Sequence, residues 1–119
     1  MIFVTGRAPE AGATTVAAEL AACLEMKGYP RELWSVRDAP MDYLGGPSPS
    51  KLLLSVAAVD AGRVCYLDRG LGPSVAGVIP EDDLVRQAAA LNQATVVAFC
   101  EAPASKAFGH LVDVIAASV

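Results

Sequence analysis

The chain has 119 residues and a mass of 12.3 kDa, the size of a single domain spanning residues 1–119. Hydrophobic residues make up 54% and charged residues 18%, which excludes an intrinsically disordered chain. A net charge of −4 argues against a broad nucleic-acid footprint, since such surfaces are basic.

Residues 1–5 (MIFVT) form a short run of β-branched and aromatic side chains that ends at Gly6. This reads as a strand buried on both faces. Residues 6–13 are loop-like by composition. From Thr14 to Lys27, Val16, Ala17, Leu20, Ala21 and Leu24 recur at helical spacing. Gly28 stands where a C-terminal cap belongs, and Pro30 prevents continuation. Glu32 to Val36 reads as a second strand. Residues 38–50 are rich in Pro, Gly and Ser, and Ser50 can cap a helix over about 51–61 that ends at Gly62. Arg63 to Leu67 reads as a third strand, followed by Asp68 and a Gly-rich turn. Glu81, Asp82 and Asp83 open a helix to Asn92, as acids suit a helix N-terminus. Ala94 to Cys100 reads as a fourth strand, and Ser105 caps a last helix running towards Ala117.

Strands alternating with helices predict an α/β domain. The expected form is a three-layer α/β/α sandwich with a mainly parallel sheet of about four strands. The longest run without a charge, Gln87 to Cys100, has 14 residues, whereas a spanning helix needs about 20. No basic residue precedes the first apolar stretch, so no signal peptide is expected. These features predict no membrane insertion and a cytoplasmic location. Cys23, Cys65 and Cys100 have no metal-ligand spacing and read as small buried side chains in a reducing compartment.

Ligands of parallel α/β sheets bind at the carboxyl ends of the strands. The first such place is FVTGRAPEAGATTVA, residues 3–17: strand, glycine loop, then a helix opening with Thr14 and Thr15. Backbone N–H groups and a helix N-terminus make that arrangement a phosphate cradle. The segment resembles the P-loop of the MinD/ParA group of deviant-Walker ATPases and their relative dethiobiotin synthetase. Its GATTVA ending is most similar to the CpaE/TadZ-like pilus-assembly proteins. In the resemblance, Gly6, Arg7, Gly12, Ala13, Thr14 and Thr15 would line a nucleotide, with Mg-ATP as the cofactor if binding is retained. The phosphate lysine falls on Ala13 and the additional signature lysine on Ala8. Glu10 replaces a glycine and would bring negative charge to the phosphates. Arg7 is the one cation in the loop that could substitute in part. The loop reads equally as a strand-to-helix connection inherited from a nucleotide-binding fold. A lost charge-assisted hydrogen bond amounts to about 1.5–3 kcal/mol.

Two further segments carry the resemblance. Asp38-Ala39-Pro40, with Asp42 and Leu44-Gly45, resembles the switch-like segment after the family's second strand, and reads equally as a solvated turn. Asp68, Gly70 and Gly72 stand at the spacing of its Asp-Thr-Gly-Ala-Gly element. There Thr14 and Asp68 would hold Mg²⁺, with Asp38, Gly70 and Gly72 as switch residues. Asp68 could instead cap a turn or pair with Arg69 or Arg7. The family's strand order, 2-3-1-4, would put the Asp68 strand beside the first. Ala94 to Cys100 would then be an exposed apolar edge, which predicts a homodimer.

The missing lysine favours a non-catalytic, MinD/ParA-like binding or scaffold module, in protein localisation or pilus-type assembly. The alternative is a weak ATP-binding protein or ATPase with a lysine-less P-loop. No catalytic residue is assigned. A homodimer or a protein partner is expected, with no nucleic acid. His110 and Trp34 read as structural residues.

Overall fold

The computed structural model describes residues 2–7, 12–29, 36–38, 52–68 and 72–117. Five strands, β1 (Ile2–Gly6), β2 (Val36–Asp38), β3 (Leu52–Val59), β4 (Gly62–Asp68) and β5 (Pro73–Pro80), form one sheet in the order β2-β1-β3-β4-β5. Four helices accompany it: α1 (Ala13–Met26), α2 (Asp83–Ala90), the single turn α3 (Thr95–Ala98) and α4 (Pro103–Ala117). β1 is parallel to β2 and β3, whereas β3–β4 and β4–β5 are antiparallel.

This mixed sheet overturns the expected three-layer, mainly parallel, P-loop NTPase-like architecture. The error lies at residues 51–61. The stretch Leu52–Val59 is a strand, and only Asp60 and Ala61 separate it from β4. Two residues can join antiparallel strands, but a parallel return needs a crossover of a dozen or more. β4 therefore runs backwards, and β3, not the Asp68 strand, lies beside β1. Of the expected second strand, only Val36 falls inside β2; residues 32–35, like Trp34, lie outside the described residues.

Ala94 to Cys100 is also not a strand. The Thr95 and Val96 N–H groups donate to the Glu19 carboxylate, at 2.7 and 3.3 Å, instead of to a neighbouring strand. The turn closes through Ala98 N–H to Ala94 O, 2.9 Å, and Phe99 N–H to Thr95 O, 2.8 Å. The sheet edges are thus β2 and β5. β5 falls where the sequence reading places no strand, between the Gly-rich turn and the acidic helix start, and it is bounded by Pro73 and Pro80. Proline is tolerated in this way at an edge strand.

α1, α2 and α4 fall where sequence spacing puts them, but α4 begins at Pro103, so Ser105 lies inside it and its hydroxyl donates to Phe99 O at 2.7 Å instead of capping the helix. α1 buries Val16, Ala17, Leu20, Cys23 and Leu24, although Ala21 of the expected stripe faces outward. Gly28 adopts φ 84°, and the Tyr29 N–H closes the helix end by donating to Leu24 O at 3.0 Å. α4 buries Phe108, Leu111, Val112 and Ile115. Both helices pack on the sheet face that carries Ile2, Val4, Leu54, Val56, Cys65, Leu67 and Ile79. Burying each large side chain of this kind contributes about 1.5–3 kcal/mol. Lys27 ties the two helices together: its Nζ lies 2.6 Å from Asp113 Oδ1 and donates to Gly109 O at 3.1 Å.

The opposite face carries Leu53, Ser55, Ala57, Val64 and Tyr66, all half-buried, together with exposed Val59, Val75 and Val78. Among the described residues no helix covers it. No helix among them is long and apolar enough to cross a membrane.

The reversal after β3 depends on Gly62, which has φ 151°. A Cβ there would run into the Ile79 carbonyl oxygen and lie 2.9 Å from the Glu81 nitrogen, both of them β5-side backbone. Gly62→Ala is therefore expected to destabilise the fold by about 2 kcal/mol or more, read by urea denaturation. An unchanged midpoint would contradict this turn geometry.

Candidate functional site

The N-terminus of α1 is the natural centre of a site. Gly12 precedes it in the left-handed conformation, φ 87° and ψ 25°, and no side chain caps the helix. Thr14 and Thr15 are exposed there, and Ala13 packs partly into the core. The cation beside this helix start is Arg63 of β4. A Cβ on Gly12 would overlap its guanidinium, lying 2.8 Å from Cζ, so only glycine allows the approach. Sequence reading did not select Arg63. The Asp60-Ala61-Gly62 turn between two apolar runs is the signal that brings it back to the end of β3.

A cavity of about 610 Å³ opens beside this point. Thr14, Thr15, Arg63, Arg86, Asn92 and Gln93 line it, with the acids Glu19, Glu81 and Asp82. The acids are partly committed to structure. Buried Glu19 holds the start of α3 through both carboxylate oxygens. Asp82 caps α2 by accepting from Leu84 N–H at 3.0 Å, and its second oxygen accepts from Ala104 N–H at 3.1 Å, joining α2 to α4. The sequence reads here only as an acidic helix start, without these tertiary partners. Arg86 faces Asp83 at 3.4 Å. The Thr95 hydroxyl is buried without a hydrogen-bond partner.

The other residues selected from the sequence do not converge on this point. The Arg7 N–H donates to Val56 O at 2.9 Å, prolonging the β1–β3 ladder. Its guanidinium lies 4.2 Å from the Tyr66 ring centroid, on the sheet face opposite α1. Asp68 pairs with Leu53, which pairs with Phe3, so it lies level with the start of β1. Gly6 is three residues further along and two strands away. At ~3.3 Å per residue and ~4.8 Å per strand, their Cα atoms are roughly 14 Å apart. The α1 N-terminus lies beyond Gly6 again. Thr14 and Asp68 are therefore not brought together, while Mg²⁺ needs its ligands at ~2.1 Å. Asp68 instead accepts from the Gly72 N–H at 3.3 Å, with Gly72 at φ 100°. Asp38 ends β2. Gly70, Ala8 and Glu10 lie outside the described residues.

Comparison with protein families, curated proteins and solved structures gives no match to this chain.

The cysteines form no reactive centre in the fold interior. Cys23 and Cys65 are buried, while Cys100 is exposed, unlike the buried position expected for it. Burial pushes the Cys65 thiol up from 9.0 to about 11, against a smaller opposing pull from Arg63. Burial also raises Cys23. His110 is exposed on α4.

Two measurements check this environment. Glu19→Gln weakens two charge-assisted bonds at once and is expected to cost about 1–2 kcal/mol in urea denaturation; a loss under ~0.3 kcal/mol would contradict the capping role. In the folded chain Cys65 keeps its proton while the unfolded chain loses it, so stability falls as pH rises from 9.0 towards about 11. Cys65→Ala should flatten that fall, and an equally steep fall in the variant would contradict it.

Proposed function

We propose that the chain is a non-catalytic binding or scaffold module of the cytoplasm, acting as a homodimer or with a protein partner and without nucleic acid. The observation that carries this reading is the separation of Asp68 from the α1 N-terminus. The acid that would hold Mg²⁺ and the helix that would hold phosphate stand at opposite ends of the sheet. Phosphoryl transfer relies on metal and cation gathered at one place to neutralise developing charge. The loop also lacks its lysine, with Ala13 in that position. The net charge of −4 fits a partner other than nucleic acid.

A second reading, weak binding of Mg-ATP, draws on the cavity beside Thr14 and Thr15. Its cation would be Arg63 and not Arg7, since Arg7 lies on the other sheet face. Calorimetry separates the two readings. The scaffold reading expects no saturable Mg-ATP binding tighter than ~1 mM and no magnesium-dependent hydrolysis. Micromolar binding that disappears in Arg63→Ala would establish the second reading. Turnover abolished by Asp68→Asn would overturn both the scaffold reading and the placement of Asp68.

A further inference from the structure

The cavity beside α1 has a volume of about 610 Å³, inside the range of roughly 300–1,000 Å³ common for small-molecule sites. Val16, Ile79, Val85, Ala89, Ala94 and Phe108 give it apolar wall, and charged groups of both signs share that wall. Its sides are tied to one another, since Glu19 fixes α3 to α1 and Asp82 fixes α2 to α4. Those two acids commit both carboxylate oxygens to backbone N–H groups. Glu81 differs from them. Its N–H donates to Ala61 O at 2.8 Å, but its carboxylate has no hydrogen bond or ion pair among the described residues. Glu81 is thus the lining acid with a charge to offer a ligand. The nearest base along the sheet is Arg63. It pairs with Ile79 across β4 and β5, and Glu81 continues that ladder two residues on. Such diagonal neighbours stand roughly 7–8 Å apart at Cα, so one short ligand can touch both side chains.

We propose that this cavity binds a small zwitterion of the amino-acid class with an apolar side chain, its carboxylate on Arg63 and its ammonium on Glu81. The inference goes beyond the scaffold reading, because it gives the module a small-molecule ligand separate from any protein partner. Charge selects the ligand class. A polyanion would meet Glu81, Glu19 and Asp82, and a dication would meet Arg63 and Arg86. A ligand with one charge of each sign finds an opposite partner for both, and like charges penalise the alternatives. The Arg63 guanidinium has five N–H donors in a planar fork that suits a carboxylate, and one partner does not exhaust them. The hydroxyls of Thr14 and Thr15 and the side-chain amides of Asn92 and Gln93 line the same space and offer neutral hydrogen bonds. The apolar wall then receives a hydrocarbon side chain, which favours leucine-like ligands over glycine-like ones.

Calorimetry with leucine and two of its derivatives tests the proposal. N-acetylleucine keeps the carboxylate and loses the cation, whereas leucine amide keeps the ammonium and loses the anion. Leucine is expected to bind saturably with a Kd below ~1 mM, and each derivative at least ~10-fold more weakly. Glu81 is exposed, so Glu81→Gln should keep the wild-type circular dichroism spectrum. That variant should lose ~10-fold or more in leucine affinity and no longer prefer leucine to N-acetylleucine. Arg63→Gln should in the same way lose the preference for leucine over leucine amide. Arg63 packs against Gly12, so the Glu81→Gln result decides the matter if Arg63→Gln does not fold. Absence of saturable leucine binding up to ~10 mM overturns the proposal. N-acetylleucine binding as tightly as leucine also overturns it, as does unchanged leucine affinity in Glu81→Gln. None of these results touches the non-catalytic reading, which fails only on Mg-ATP turnover.

Discussion

Two residues, Asp60 and Ala61, separate β3 from β4, and most of the molecule's arrangement descends from that short connection. A turn of this length can only send the chain back beside the strand it came from. The reversal places Arg63 next to the start of α1 and carries Asp68 to the far end of the sheet. It also gives β5 an antiparallel path back, so that Ile79 and Pro80 end close to the turn, where the Glu81 N–H donates to Ala61 O at 2.8 Å. Gly62 makes the turn possible, because the Ile79 carbonyl occupies the space a side chain would need.

Two acids, buried Glu19 and half-buried Asp82, then position the helical half. Glu19 projects from the middle of α1 and takes the first N–H groups of α3, so this short turn is fixed to α1 and not to the sheet. Asp82 does the same between α2 and α4. Ser105 adds a 2.7 Å bond to Phe99 O, holding α4 to the end of that turn. The bonds to the Glu19 and Asp82 carboxylates contribute about 1.5–3 kcal/mol each, and the Ser105 bond to a neutral carbonyl about 0.5–1.5 kcal/mol. They account for a cavity whose walls come from both helices and sheet yet stay in register. Glu19, Glu81 and Asp82 line the same cavity as Arg63 and Arg86, so the cavity has mixed charge and not the concentrated positive field of a phosphate site.

Much of the helical structure was legible in the sequence, and the sheet topology was not. α1, α2 and α4 have apolar spacing, caps or acidic starts that survive without tertiary help, as Gly28 and Asp82 illustrate. Leu52–Val59 reads as a helix or a strand with equal ease, since leucine and alanine favour one and valine the other. The missed signal was the Asp-Ala-Gly turn joining it to the next apolar run. Ala94 to Cys100 is rich in strand-forming residues, but a carboxylate 76 residues earlier captures its N–H groups. No local pattern contains that partner. The motif residues stand at the expected chain spacing, yet spacing along a chain becomes proximity only if strand direction is right. One reversed strand is enough to separate Asp68 from Thr14.

The direction of β4 is therefore the point on which the account stands, and a nuclear Overhauser spectrum of the isotope-labelled chain reads it directly. The account predicts antiparallel cross-strand Hα contacts between 52–59 and 62–68, with the pairs Leu54–Leu67 and Val56–Cys65 in register. It also predicts no contact between Asp68 and Thr14. Helical contacts through 52–59, with Asp68 protons close to those of Thr14, would contradict it.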